Sequence, residues 1–249
     1  LLGRKSDGSL RGTMQVNAAI YAVISVIVGA AAIFSWETYS AQCLILGILF
    51  GAVTAMSGVF KLMALATGEM SFTVVFVSAS MVIPAFAGAV FWREPLSVFK
   101  VAGAAVIIVS SCFSAKRNGK RREKGWLTYC FAAFLFMGLV GVLQKVQRSS
   151  SCSGSPKLFL LTAFVTAFVI CLAVCAITKK DPEERPSPTM SGIACILTAG
   201  GTLAFANLAN LYLAGALPSA LLFPAQNGGS TLLSVLIAAF VFRERPDGR

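Results

Sequence analysis

Apolar residues run through this chain in long, nearly charge-free blocks and do not alternate with polar ones. The blocks fall at about 16–36, 42–67, 70–92, 97–115, 126–144, 158–178, 191–217 and 219–242. Each is near or above the ~20 residues that a helix needs to cross a bilayer. Eight spanning helices are therefore predicted. Strands are disfavoured, because open strands leave backbone groups unpaired in hydrocarbon and the blocks lack the two-residue period of a barrel. The shortest connections, around Gly68-Glu69 and Leu217-Pro218, make their flanking helices antiparallel hairpins. In the second block Gly47, Gly51 and Ala55 recur every four residues. That stripe reads either as a close helix–helix approach or as the general Gly and Ala content of membrane helices.

Three hydrophilic stretches punctuate the blocks: basic 116–124, Ser-rich 149–156, and 179–189 with Pro182, Pro186 and Pro188. The first divides the chain into comparable halves, and the other two read as flexible, solvated loops.

Composition agrees with lipid as the solvent. Hydrophobic residues make up 57% and charged residues 12%, and mean hydropathy is +0.79, whereas soluble domains carry about 25% charged residues. The net charge of +11 is concentrated between blocks, notably at Lys116, Arg117, Lys120, Arg121, Arg122 and Lys124. With no aromatic-basic module beside it, this is a juxtamembrane pattern and not a nucleic-acid footprint. Cys43, Cys112, Cys130, Cys171, Cys175 and Cys195 lie in apolar blocks and read as small buried hydrophobes, with Cys152 alone in a polar loop. Cys171 and Cys175 share a helix face, yet no His or nearby acid completes a metal site. Without His there is no Ser–His or Cys–His pair, and neither clustered acids nor a Gly-rich phosphate loop occurs, so an enzyme is disfavoured and no cofactor is implied.

The halves repeat each other. The segment 71–95 aligns with 219–246, and both end in aromatic-Arg-Glu, Trp92-Arg93-Glu94 and Phe242-Arg243-Glu244. At the same offset Ser80 matches Ser230, and Gly88-Ala89 match Ala238-Ala239. Duplicated units are a hallmark of secondary carriers. An odd number of spans per unit inverts the second copy and puts a substrate site at the interface near the midplane.

The small-residue turns in "LATGEMSF" and "LAGALPSA", the closing Glu94 and Glu244, and the stretch "LPSALLFPAQNGGSTLLSVLIAAFVFRE" carry a family likeness. With them, the chain resembles the EamA-like carriers of the drug/metabolite transporter superfamily over essentially its whole length. The resemblance implies an all-α integral membrane protein with two inverted repeats of five helices, eight of ten spans being present. Residues 1–115 then form the first repeat without its first span, 116–125 the basic linker, and 126–249 the second repeat without its last span. It further implies a permease that moves a small metabolite, such as an amino acid, nucleoside or sugar, by alternating access. The implied location is a multi-pass site in the cell (cytoplasmic or inner) membrane, as a monomer or homodimer. A multidrug or cation efflux carrier and a non-transporting membrane scaffold stay open as alternatives.

Polar side chains inside apolar spans are costly unless paired or facing water, so they are the candidate substrate ligands. Gln226, Asn227, Ser230 and Thr231 cluster in the last block, where Pro224 removes a helix donor. Asn207, Asn210 and Tyr212 sit within about one and a half turns of the preceding block, and Ser78 and Ser80 with Pro84 form the repeat counterpart. For the last-block cluster and the serines, helix packing with hydroxyls bonded to backbone is the competing reading. Lys61, the one ionisable residue well inside a block, either snorkels to the interface or binds an anionic group. Pro84, Pro224, Glu94 and Glu244 are structural or gate candidates; no block carries a mid-span Asp or Glu, which counts against proton-coupled export of cations.

Orientation is two-sided. Arg4, Lys5, Arg11, the 116–124 run, Lys179, Lys180 and Arg185 share one side, against Arg93, Lys100, Lys145, Arg148 and Lys157 on the other. The positive-inside rule puts the richer side in the cytoplasm. Both termini inside, as the resemblance implies, would put the basic linker outside.

Overall fold

The computed structural model describes residues 10–34, 40–68, 73, 76–94, 125–178, 190–223, 225, 226 and 229. Five helices there are long and apolar enough to cross a membrane. They are α1 (Leu10–Ile33), α2 (Ala41–Thr67), α4 (Trp126–Ser149), α5 (Pro156–Ile177) and α6 (Met190–Ala216). Between them lies α3 (Val82–Trp92), entered through a 3-10 turn at Ala79–Met81. The protein is a multi-pass, all-helical membrane protein. Its outer surface agrees, for Val26, Phe34, Phe91 and Phe205 are all more than two-thirds exposed, which water would penalise and acyl chains do not. The blocks 97–115 and, apart from its first residues, 219–242 lie outside the described residues, as does the basic linker.

Local chemistry sets the helix ends. Ser40 caps α2, its side chain accepting from the Cys43 N–H at 3.2 Å, and Pro156 opens α5 where its missing N–H costs nothing. Arg93 ends α3 in the left-handed region at φ 52°. Within the 70–92 block, predicted as one span, the described residues are helical, with a 3-10 turn at Ala79–Met81 just before Pro84. Pro84 supplies no N–H for the carbonyl four residues earlier. Hydroxyls inside the spans bond their own helix: Thr162 donates to the Leu158 carbonyl at 2.9 Å and Thr166 to that of Thr162 at 2.8 Å, which lowers the cost of burying them.

Packing joins the two halves more than it joins neighbours in sequence. α1 lies along α5, α2 between α5 and α4, α3 on α4, and α6 against α1 and α4. The glycine stripe lies in the α2–α5 contact. A Cβ on Gly47 would stand 2.9 Å from Thr162 Cβ, and one on Gly51 would run into the Ala163 carbonyl. The stripe is thus a close backbone approach, the main source of helix affinity where hydrophobic burial is already satisfied by lipid. Phe50 and Phe159 extend the contact with ring centroids 5.1 Å apart.

Helix directions follow from the contacts. Arg11 at the start of α1 donates to the Thr178 carbonyl just past α5, while Tyr21 meets Phe164, so α1 and α5 are antiparallel. Ala64 near the end of α2 packs on Trp126 at the start of α4, and Ser57 touches Met137, so this pair is antiparallel too. α4 and α6 run together, with Arg148 over the Tyr212 ring near both C-termini. One end of the bundle therefore holds Arg11 (the Arg11 end), and the other holds Arg93, Glu94, Lys145, Arg148 and Lys157 (the Glu94 end).

The Ser-rich stretch after α4 differs from the solvated loop expected of it. Ser151–Gly154 forms a 3-10 turn and Cys152 is buried against Cys43 and Phe159. Two side chains of α4 fold it back: Gln147 Nε2 donates to the Cys152 carbonyl at 2.7 Å, and Arg148 to that of Ser153 at 2.9 Å. Donors upstream act together with the Ser150 hydroxyl, which accepts from the Cys152 N–H at 3.3 Å, to set its structure.

Candidate functional site

A cavity of about 250 Å³ lies between α3, α4, α6 and the helical turn that follows Pro218. That is just below the usual range of drug-sized ligand sites, about 300–1,000 Å³, and suits a small solute. Its walls come from both halves of the chain. The first half gives Ser80, Met81 and Pro84; α4 gives Met137, Val140, Gly141 and Gln144; α6 gives Leu203, Ala206, Asn207 and Asn210; Phe223 and Gln226 complete it. Met137 and Leu203 sit near the midpoints of their helices, so the cavity extends from mid-membrane toward the Glu94 end.

The local sequence allows the walls to meet. A Cβ on Gly141 would lie 2.9 Å from Pro84 Cγ and 3.1 Å from Phe223 Cε1, and one on Gly138 would run into Ile83. These glycines let α3 lie against α4. Asn207 Nδ2 donates to the Leu203 carbonyl at 2.8 Å, so its helix holds the amide in place and its oxygen remains to accept. Among the described residues, four amides, one hydroxyl and no carboxylate line the space. Such a lining suits a polar solute held by neutral hydrogen bonds.

One residue beyond Gln144, the cavity is bordered by an ion pair. Lys145 Nζ is 2.7 Å from Glu94 Oε1, with both side chains 12% exposed. Lys145 also donates to the Leu217 carbonyl at 3.2 Å, and Glu94 Oε2 accepts from the Ser219 backbone N–H at 2.7 Å. Glu94 thus ties the exit of α3 to α4 and to the turn that leads into the last block. Gly88 makes room for this, since a Cβ there would stand 2.6 Å from Glu94 Oε2 and 3.0 Å from Ser219 Cβ.

The structure brings Ser80, Pro84, Asn207, Asn210 and Gln226 together around the cavity, five of the residues expected from sequence. It does not bring Ser78, Tyr212 or Lys61 to the lining. Tyr212 is half exposed with the Arg148 guanidinium 5.4 Å above its ring, so it serves the helix ends. Lys61 is partly buried on α2, toward the Arg11 end. Asn227, Ser230, Thr231, Pro224 and Glu244 lie outside the described residues. Sequence reasoning missed Gln144 and Lys145, which stand at the edge of their apolar block. Continuation of α4 to Ser149 puts both inside the helix; the polar-but-uncharged Gln144 at the end of an apolar run was the available signal.

No protein-family model matches this chain, and no curated protein matches it.

Proposed function

We propose that the chain is a secondary carrier that moves a small polar metabolite through the cavity between its halves by alternating access. The observation that carries this reading is the cavity itself. It extends from the level of the α4 and α6 midpoints toward the Glu94 end, is walled by α3 of one half and α4 and α6 of the other, and collects the amides that apolar spans would otherwise exclude. A scaffold has no need of polar groups converging on a space.

Helix directions support an inverted duplication of the EamA-like kind. If the halves correspond, α1 pairs with α5 and α2 with α6. α1 and α5 run in opposite directions, as do α2 and α6, the latter through their shared neighbour α4. The contacts also exchange under that correspondence: α2 packs on α5, and α6 packs on α1. In such carriers the two units rock about a central site. The Glu94–Lys145–Ser219 cluster would act as the closure at one end, since it links both units and must part for the cavity to open there.

The test is uptake by the full chain in proteoliposomes, against a panel of amino acids, sugars, nucleosides, small carboxylates and quaternary amines. Saturable flux of one class, lost in Asn207→Leu and Gln226→Leu variants that remain folded, is the expected outcome. A folded chain that moves none of them contradicts the proposal.

A further inference from the structure

The described interior has one cation and no free anion. Glu94 is the only carboxylate among the described residues, and its two oxygens are engaged by Lys145 and by the Ser219 N–H. Arg11, Arg93, Lys145, Arg148 and Lys157 all stand at or near helix ends. Lys61 does not, for it lies six residues before Thr67, roughly 9 Å from the helix end at the usual rise. Among the described residues it has no hydrogen bond or ion pair.

Its neighbours on α2 show which way it faces. Phe60 stacks on Phe136 of α4 at 5.5 Å, and Ser57 donates to Met137 Sδ at 3.5 Å. Gly58 faces α1 instead: a Cβ there would lie 3.9 Å from the Tyr21 hydroxyl. Lys61 is four residues from Ser57 and three from Gly58, which puts it on the inner face between the two contacts. Thr54, one turn before Gly58 on that face, holds a buried hydroxyl with no partner among the described residues. Met137, which Ser57 touches, is a wall of the cavity, so Lys61 stands one helical turn from the cavity's edge on the Arg11 side.

We propose that Lys61, with the Thr54 and Tyr21 hydroxyls, forms an anion subsite at that edge, and that the cargo is a small carboxylate whose polar body points into the cavity toward the Asn207 amide. An ammonium held inside a membrane protein needs a counter-charge. Among the described residues none supplies it, no apolar block carries a mid-span Asp or Glu, and the cargo is assigned that role. A cationic cargo would be repelled by the same residue. This inference rests on the carrier reading but is tested separately from flux.

The full chain, with its native cysteines replaced by Ser or Ala and Thr54→Cys as its single thiol, is placed in liposomes and treated with two methanethiosulfonates, one bearing a sulfonate and one a trimethylammonium group. Relative to their rates with a free thiol, the sulfonate reagent is expected to react on the order of 10-fold faster, the scale of charge focusing in a cleft. Lys61→Met should bring the ratio to about 1, and Lys61→Arg should retain most of it. Millimolar lactate should slow labelling, whereas inorganic phosphate and choline should not. Equal rates, a faster cationic reagent, or no reaction with either overturns the subsite and leaves Lys61 snorkelling to the interface. Protection by phosphate alone, or by choline, overturns the carboxylate assignment. Labelling as expected in a chain that moves no solute contradicts the carrier reading alone. Flux of a neutral or cationic solute that ignores Lys61→Met contradicts the subsite alone.

Discussion

Replacing Glu94 by Gln leaves the shape of the α3 exit almost unchanged but removes the charge that faces Lys145. At the observed 2.7 Å, two unit charges attract by about 6 kcal/mol at an effective dielectric constant near 20. Desolvation of both groups, each 12% exposed, offsets much of that. Glu94→Gln leaves Lys145 with only the Leu217 carbonyl and weakens the acceptor for Ser219, so a loss of about 2–4 kcal/mol is expected. Lys145→Met should cost a similar amount, and the double variant less than the sum. A double-mutant cycle should return a coupling of about 1–3 kcal/mol. The assay is reversible unfolding of the purified chain in mixed micelles, followed by helical circular dichroism. A coupling below about 0.5 kcal/mol, as for exposed pairs, would refute the view that this pair closes the cavity's border.

Other substitutions probe the packing directly. Gly51→Ala drives a methyl into the Ala163 carbonyl and should destabilise by about 1–3 kcal/mol. Gly201→Ala meets only Ile27 Cδ1 at 4.0 Å and should be neutral or stabilising by up to about 1 kcal/mol; the same unfolding assay compares them. Trp126→Phe removes the indole N–H that donates to Thr73 Oγ1 at 3.2 Å and should cost about 1 kcal/mol. Maleimide in detergent should label the half-buried Cys195 well before the buried Cys43, Cys152 and Cys171, read by mass spectrometry of peptides.

The helices were legible because a bilayer imposes their length, and a run of ~20 apolar residues has few other uses. The Gly47–Gly51 stripe could be seen as an approach surface, but the partner could not. That partner, α5, is more than a hundred residues away, and nothing in a uniformly apolar face marks which other face it meets. Ser80, Asn207, Asn210 and Gln226 stood out because polar groups in hydrocarbon are conspicuous. Tyr212 stands out for the same reason but lies off the lining of this cavity, since an aromatic hydroxyl near a helix end can face an interfacial Arg as readily as a cavity. Gln144 and Lys145 were passed over because a block edge and a helix end are not the same thing. Cys152 looked solvated because its burial is set by Gln147 and Arg148, donors on the preceding helix.

Alternating access is the central claim, and thiol accessibility at the cavity measures it most directly. In a background where Asn207→Cys is the only reactive thiol, membrane-impermeant reagent is applied from one side of sealed vesicles and then from the other. Labelling from both sides is predicted, and a Glu94→Cys/Lys145→Cys cross-link should abolish it from the Glu94 end alone. Labelling from one side only, whatever the state of that cross-link, would contradict the account.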